Sequence, residues 1–161
     1  MRTRFLLPLA IGLAVVAGFI AATFWVQRGA HIELRGSVLK VRTAAMEERA
    51  SVVIVDFRFV NPADYPFVVR TVDVTLEAQD GATHQGMVIS EVDAKRLFDY
   101  FPILGQKFNS SLLMKDRIAP KASEDRMIAA RFEIAESDLK ARKKLTVRIE
   151  EVDGAVSELV E

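Results

Sequence analysis

The side chains that most often perform chemistry in proteins are sparse in this sequence. It contains two histidines, His31 and His84, and no cysteine. His84 follows a turn that carries Asp80, but one imidazole and one carboxylate are too few ligands for a metal site. We therefore expect His84 to be a solvated turn residue, and we expect neither a metal nor another cofactor.

Motifs for catalysis are missing as well. The eight glycines are scattered singly, so they form no phosphate-binding loop, and no serine lies in a nucleophile-elbow pattern. The carboxylates mostly alternate with apolar residues, as on the solvated face of a strand. No nucleophile, base and orienting group converge, which predicts no catalytic residues and favours a non-enzymatic protein over a membrane-associated hydrolase.

The charge balance argues against nucleic acid as a partner. The chain has 22 basic and 22 acidic residues, and three of the arginines precede Gly29, so the part from Gly29 onward is slightly acidic. The densest basic cluster is Lys140, Arg142, Lys143 and Lys144. We expect it to be a polar turn, the alternative being contact with anionic lipid headgroups. Asn109-Ser110-Ser111 matches the glycan acceptor pattern, which matters only in a eukaryotic secretory lumen.

The N-terminal segment has the composition of a membrane helix. Phe5 to Val26 is free of charge, and a helix of that length spans roughly 33 Å, enough to cross a bilayer core. Arg2 and Arg4 precede it, which predicts a cytoplasmic N-terminus. We predict a signal anchor in residues 1–28 and a periplasmic or extracellular domain in residues 29–161. The alternative is a signal peptide cleaved after Ala17, but the apolar run continues well beyond that point.

Small residues recur at four-residue spacing along the same segment. Ala10, Ala14, Gly18 and Ala22 would form one ridge, the arrangement that lets two membrane helices pack closely. A homodimer through this helix is one interpretation. The other is that alanine and glycine are simply common in membrane helices.

The rest of the chain alternates between apolar and polar residues, as strands do. We expect a bulge at Gly36 in the first strand, and we expect the second and third strands to pair with each other. Ser90 and Asp93 indicate a helix start, and Ala94, Leu97, Phe98 and Phe101 then follow at helical spacing as far as Pro102. The predicted strands are Ile32 to Thr43, Ala50 to Val60, Phe67 to Ala78, Gly86 to Ile89, Arg126 to Ile134, Leu145 to Ile149 and Ala155 to Val160.

Seven to eight short strands with one inserted helix predict a mainly β protein, a β-sandwich. The residues of the apolar strand faces should form its core. They are Val53, Val55, Phe57, Phe59, Val72, Val74, Leu76, Ile128, Phe132, Val147 and Ile149.

Two short motifs add a family resemblance. Phe57 to Pro62 followed by Pro66 to Val69, and Ile118-Ala-Pro120-Lys-Ala-Ser123 before a late strand, resemble the group-2 late-embryogenesis-abundant proteins, also called water-stress and hypersensitive-response (WHy) domains. The resemblance implies an immunoglobulin- or fibronectin-like sandwich of seven strands with one helix. It also implies a non-enzymatic role in stress protection or interaction, in some members behind a membrane helix. The segment Ser90 to Lys115 departs from the family pattern.

The departing segment is also where we predict a partner surface. Tyr100 falls outside the apolar stripe of the helix, and Ile103, Leu104 and Phe108 follow the stop at Pro102 without a regular apolar period. They form either a contact surface for an unidentified envelope protein or a cap over one end of the sandwich. A third interpretation is a site for a small apolar ligand or lipid, which would require a deep pocket beneath Phe98 and Phe101.

Overall fold

The computed structural model describes residues 12–22 and 33–161. The chain divides into two compact units, Met1–Ile32 and Glu33–Glu161. Residues 12–22 are helical, and Ala14, Gly18 and Ala22 lie on this helix; Ala10 and both ends of the predicted membrane segment lie outside the described residues. None of the helices within residues 12–22 and 33–161 has the length and apolar character needed to cross a membrane.

The unit from Glu33 to Glu161 is mainly β, as predicted. Helix α1 spans Glu91–Tyr100, a 3₁₀ turn spans Pro102–Leu104, and a second helix, α2, which was not predicted, spans Glu136–Lys140. The strands are β1 (Arg35–Glu47), β2 (Ala50–Val60), β3 (Phe67–Glu77), β4 (Thr83–Val88), β5 (Arg117–Ile118), β6 (Ser123–Phe132), β7 (Lys144–Glu151) and β8 (Val156–Val160).

The strands form one curled antiparallel sheet in the order β1-β2-β6-β4-β3-β7-β8, with β5 beside β3. One half of the sheet consists of β1, β2 and β6, and the other of β3, β7 and β8. Strand β4 joins the two halves, because Thr83 to Gly86 pairs with β3 and Met87 to Val88 pairs with β6. The two edges of the sheet approach each other, because the backbone N–H of Leu34, just before β1, donates to Oγ of Ser157 in β8 at 2.8 Å. The curl encloses the main hydrophobic core.

Ten of the eleven residues predicted to form the core are buried, which confirms the prediction for those ten. Val72 is the exception, since it is only partly buried at the edge of the same cluster. The prediction succeeds because alternate residues of a strand point to opposite faces.

The expected pairing of β2 with β3 is wrong. Strand β2 pairs with β1 and β6, whereas β3 pairs with β4, β5 and β7. The segment between them crosses from one half of the sheet to the other, and the buried Asn61 holds it there. Its Nδ2 donates to the carbonyl oxygens of Tyr65 at 2.9 Å and Ile118 at 3.3 Å. Asparagine and proline are favoured both in tight turns and in longer loops, so the sequence did not distinguish this crossing from a hairpin turn.

The expected bulge at Gly36 is also wrong. The register shift lies between Val38 and Lys40, so Leu39 is the additional residue, and Gly36 remains paired with Phe59. A Cβ at Gly36 would lie 2.2 Å from the backbone oxygen of Arg58. A glycine within a strand marks either a bulge or a close approach of two backbones, and here it marks the close approach.

Candidate interaction surface

Helix α1 covers the second face of β2. Ser90 caps the helix as predicted, its Oγ accepting from the N–H of Asp93 at 3.2 Å. Ala94, Leu97 and Phe98 are buried, and Phe101 packs beside them partly buried. Together with Leu104 from the 3₁₀ turn, they form a second cluster against Val52, Ile54, Met127 and Ala129. Strand β2 is therefore buried on both faces over most of its length.

A buried ion pair holds the segment that follows α1. We call residues 102–111 the strap. Arg42 Nη2 lies 2.6 Å from Asp56 Oδ2, and their side chains are 8% and 6% exposed. Arg42 Nη1 donates to the carbonyl oxygens of Leu104 at 2.6 Å and Gln106 at 2.8 Å. Because its donors point at backbone oxygens, Arg42 fixes the path of the strap.

The same ion pair has two further neighbours. The Arg42 guanidinium lies 4.8 Å from the centroid of the Phe98 ring, a cation–π distance. Asp56 Oδ1 accepts from Asn109 Nδ2 at 3.0 Å. The amide of Asn109, in the glycan acceptor pattern, is thus engaged in a partly buried hydrogen bond.

A second ionic contact joins the strap to the start of α1. Lys107 Nζ lies 2.7 Å from Glu91 Oε1, and Glu91 Oε2 accepts from the N–H of Ser111 at 2.8 Å. Partial burial raises the pKa of Glu91, but the hydrogen bonds from Lys107 and Ser111 outweigh that effect and lower it to about 2. Glu91 is therefore ionised at neutral pH.

A groove lies along each flank of α1. The apolar groove, about 750 Å³, is lined mainly by Met46, Met87, Val88, Ile89, Leu97, Tyr100 and Phe101, and Glu47, Ser90, Asp93 and Arg96 complete its lining. The polar groove, about 570 Å³, lies between α1 and the strap and includes Glu91, Lys95, Asp99, Lys107 and Phe108. The helix separates two surfaces of different chemistry.

The structure separates the three residues predicted as a partner surface. Tyr100, Ile103 and Phe108 are all exposed, at 79%, 76% and 70%. Tyr100 lines the apolar groove and Phe108 lines the polar groove, while Ile103 lines neither. Leu104, expected to lie outside the core, is buried.

Sequence reasoning missed the β side of the apolar groove. Met87 and Val88 are 67% and 38% exposed, and Met46 lies beside them partly buried. The interval Gly86 to Ile89 was predicted as a strand, but its pattern is too short to assign a face. The available signal was Gly86, which permits the crossing of β4 between the two halves of the sheet.

Two other sequence candidates have ordinary surroundings. Lys140, Arg142 and Lys143 of the basic cluster pair with Glu136, Glu161 and Glu77, which leaves less free charge for lipid headgroups. His84 lines a small hollow with Asp80 and Asp138. Within the described parts of the chain, no group of three or more histidine, aspartate or glutamate side chains is placed to hold a metal ion.

The chain matches no protein-family model, and no curated protein shows a significant match to it.

Proposed function

We propose that this protein is a membrane-anchored, non-enzymatic β-sandwich module that binds another protein through the apolar groove beside α1. One observation carries the proposal: Met87, Val88 and Tyr100 project around a groove whose floor includes the buried Leu97. Binding of a partner to such a surface is favourable, because it removes exposed apolar area from water.

The residue types around the groove suit a protein contact. Tyrosine, phenylalanine, methionine and arginine are enriched in interfaces, and large aromatic side chains often dominate the binding energy. Met46 and Met87 add flexible side chains that adapt to the shape of a partner. Glu47 and Arg96 supply the charged rim that surrounds an apolar centre in many interfaces.

We assign the domain to an immunoglobulin- or fibronectin-like sandwich of the WHy type. The support is that the two motifs of the resemblance touch each other. Asn61 Nδ2 donates to the carbonyl oxygens of Ile118 and Ala119, and the N–H of Asn61 donates to the carbonyl oxygen of Ala122 at 2.9 Å. Contact between them makes both motifs parts of one structural feature. On this assignment the role is interaction or stress protection at the cell envelope, and the partner is a protein of that compartment.

The anchor and its orientation rest on the sequence. Phe5 to Val26 is uncharged, and Arg2 and Arg4 precede it, which predicts an N-terminus in the cytoplasm and a domain in the periplasm or outside the cell. The ridge of Ala10, Ala14, Gly18 and Ala22 is a candidate packing face of that helix.

A small apolar ligand or lipid is the second candidate occupant. The groove volume of about 750 Å³ is within the usual range for ligand sites. However, the apolar groove is lined by Leu97 and Phe101 but not by Phe98, which packs on Arg42 and lines the polar groove. These contacts favour a protein over an enclosed ligand.

Paired substitutions on the two flanks of α1 test the proposal. Met87→Ser with Tyr100→Ser should abolish co-purification of the partner, including a differently tagged copy of this chain, while changing the melting temperature by only a few degrees. Ile103→Ser with Phe108→Ser is the matched control, because these side chains are equally exposed but lie outside the apolar groove.

The outcomes separate the candidates. Retention of every partner by the groove variant, at unchanged stability, would contradict the proposal. The ligand alternative would be supported if the wild type binds a fluorescent fatty acid and the groove variant does not, while both co-purify the same proteins.

A further inference from the structure

We infer that the partner in the apolar groove is a second copy of this chain, in a two-fold symmetric dimer. The inference rests on the proposed function, in which the groove is a protein contact, and adds the identity of the partner. Its basis is that one surface carries both a projecting aromatic side chain and a recess, and both an acidic and a basic side chain. A two-fold interface requires this self-complementarity, because each patch contacts the same patch of the partner.

The first complementary feature is shape. Tyr100 projects at the end of α1 with 79% of its surface exposed, and its ring stands edge-on to Phe101 with the ring centroids 5.0 Å apart. Met46 and Met87 line the same groove. A tyrosine side chain has only two torsions, so little side-chain entropy is lost when the ring enters a recess. In a two-fold dimer, each Tyr100 enters the methionine-lined recess of the other copy.

The second complementary feature is charge. Glu47 lines the groove, and its carboxylate forms no ion pair with any described residue. Arg96 lines the same groove and pairs with Asp93 at 3.0 Å, an exposed contact of small energy. A two-fold axis through the groove places Arg96 of each copy opposite Glu47 of the other. Glu47, which has no ion-pair partner among the described residues, then gains one across the interface, and Arg96 is shared between it and Asp93, which also lines the groove.

Photo-crosslinking of the full-length chain in cells tests the inference. A photoreactive phenylalanine analogue replaces Tyr100 in one variant and Phe108 in a matched control, since both aromatic side chains are exposed but line different grooves. We expect the Tyr100 position to yield a product of two copies of this chain, identified by mass spectrometry. The Phe108 position should yield at least fivefold less.

Charge reversal separates this contact from association through the N-terminal segment. In the Tyr100 crosslinking background, Glu47→Arg or Arg96→Glu alone should reduce the two-copy product at least fivefold. The double variant should restore at least half of it, because the reversed charges again face each other. Failure of the double variant to restore the product would overturn the inference.

The remaining outcomes distinguish this inference from the proposed function. A product joining the Tyr100 position to a different polypeptide would overturn the second copy as partner and leave the groove as a protein contact. Absence of any product at Tyr100, with the chain folded and expressed, would overturn both.

Discussion

Asp56 and Arg58 lie two residues apart on the same face of β2, and each forms an ion pair. The side chains of Asp56 and Arg42 are 6% and 8% exposed, whereas those of Arg58 and Asp125 are 57% and 37% exposed. Removing one partner of a buried pair leaves an uncompensated charge in a medium of low polarity, while an exposed charge is readily solvated. Burial therefore decides how much each pair matters.

We predict that Asp56→Ala lowers the free energy of unfolding by about 3 to 5 kcal/mol, because Arg42 and Asn109 lose their shared acceptor. Arg58→Ala, the control on the same strand face, should leave the free energy of unfolding nearly unchanged, because its ion pair is exposed to solvent. Urea unfolding of both variants measures these losses. A double variant, Arg42→Met with Asp56→Leu, should recover part of the loss. Equal losses in Asp56→Ala and Arg58→Ala would contradict the buried role.

Glu91 predicts a pH dependence of stability. Its pKa of about 2 in the folded chain is below its ordinary value of 4.5, so its stabilising effect is complete above pH 4.5 and is lost as the pH falls toward 2. Its side chain is 39% exposed, and solvent screening limits the effect to about 1 kcal/mol.

At pH 7, Glu91→Gln should therefore be less stable than the wild type by about 1 kcal/mol, and the difference should shrink as the pH falls from 4.5 to 2. Denaturant unfolding at several pH values checks this. Glu133→Gln, which removes a largely exposed carboxylate, should change stability by less than about 0.5 kcal/mol. A Glu91→Gln difference that is constant with pH would show that the amide loses packing and not charge.

At the scale of the elements, β4 is the strand that closes the fold. It pairs first with β3 and then with β6, and Gly86 lies at the change of partner. A Cβ at this position would lie 2.7 Å from Phe132 Cζ and 2.9 Å from Ala130 Cβ, closer than such atoms approach. A side chain here would push the strand away from the core.

Gly86→Ala should consequently lower the free energy of unfolding by about 1 to 3 kcal/mol, the usual cost of overpacking a core. The neighbouring Gln85→Ala is the control, since Gln85 is exposed, and it should be nearly neutral. Thermal unfolding of both variants provides the comparison. A neutral Gly86→Ala would mean that β4 shifts freely relative to Phe132.

At the scale of the whole molecule, the prediction concerns the N-terminal segment. We expect an uncleaved anchor, because the apolar run continues beyond the only small-residue cleavage pattern. N-terminal sequencing of the membrane fraction should find the start of the chain intact. A mature protein that begins at Gly18 would contradict the anchor and leave a secreted domain.

The sequence alone predicted the local features well, since their signals lie within a few residues. The alternation in Ala50 to Val60 predicted β2 with its bounds, and Ser90 with Asp93 predicted the start of α1. Exposure of Tyr100 also agrees with the helical period, because this residue lies off the apolar stripe. Ile103, Leu104 and Phe108 follow Pro102, where the sequence left open whether they are exposed or cover the sandwich.

Only the tertiary structure decided which distant segments meet. The sequence predicted that β2 has an apolar face, but not that α1 buries its other face or that β6 and β1 are its neighbours. Arg42 meets the carbonyl oxygens of residues more than 60 positions away, and Met87 meets Tyr100 across a groove. A periodic pattern predicts that a face is buried but not which element covers it. The hydrophobic effect is not directional, so any apolar surface of matching shape can bury that face.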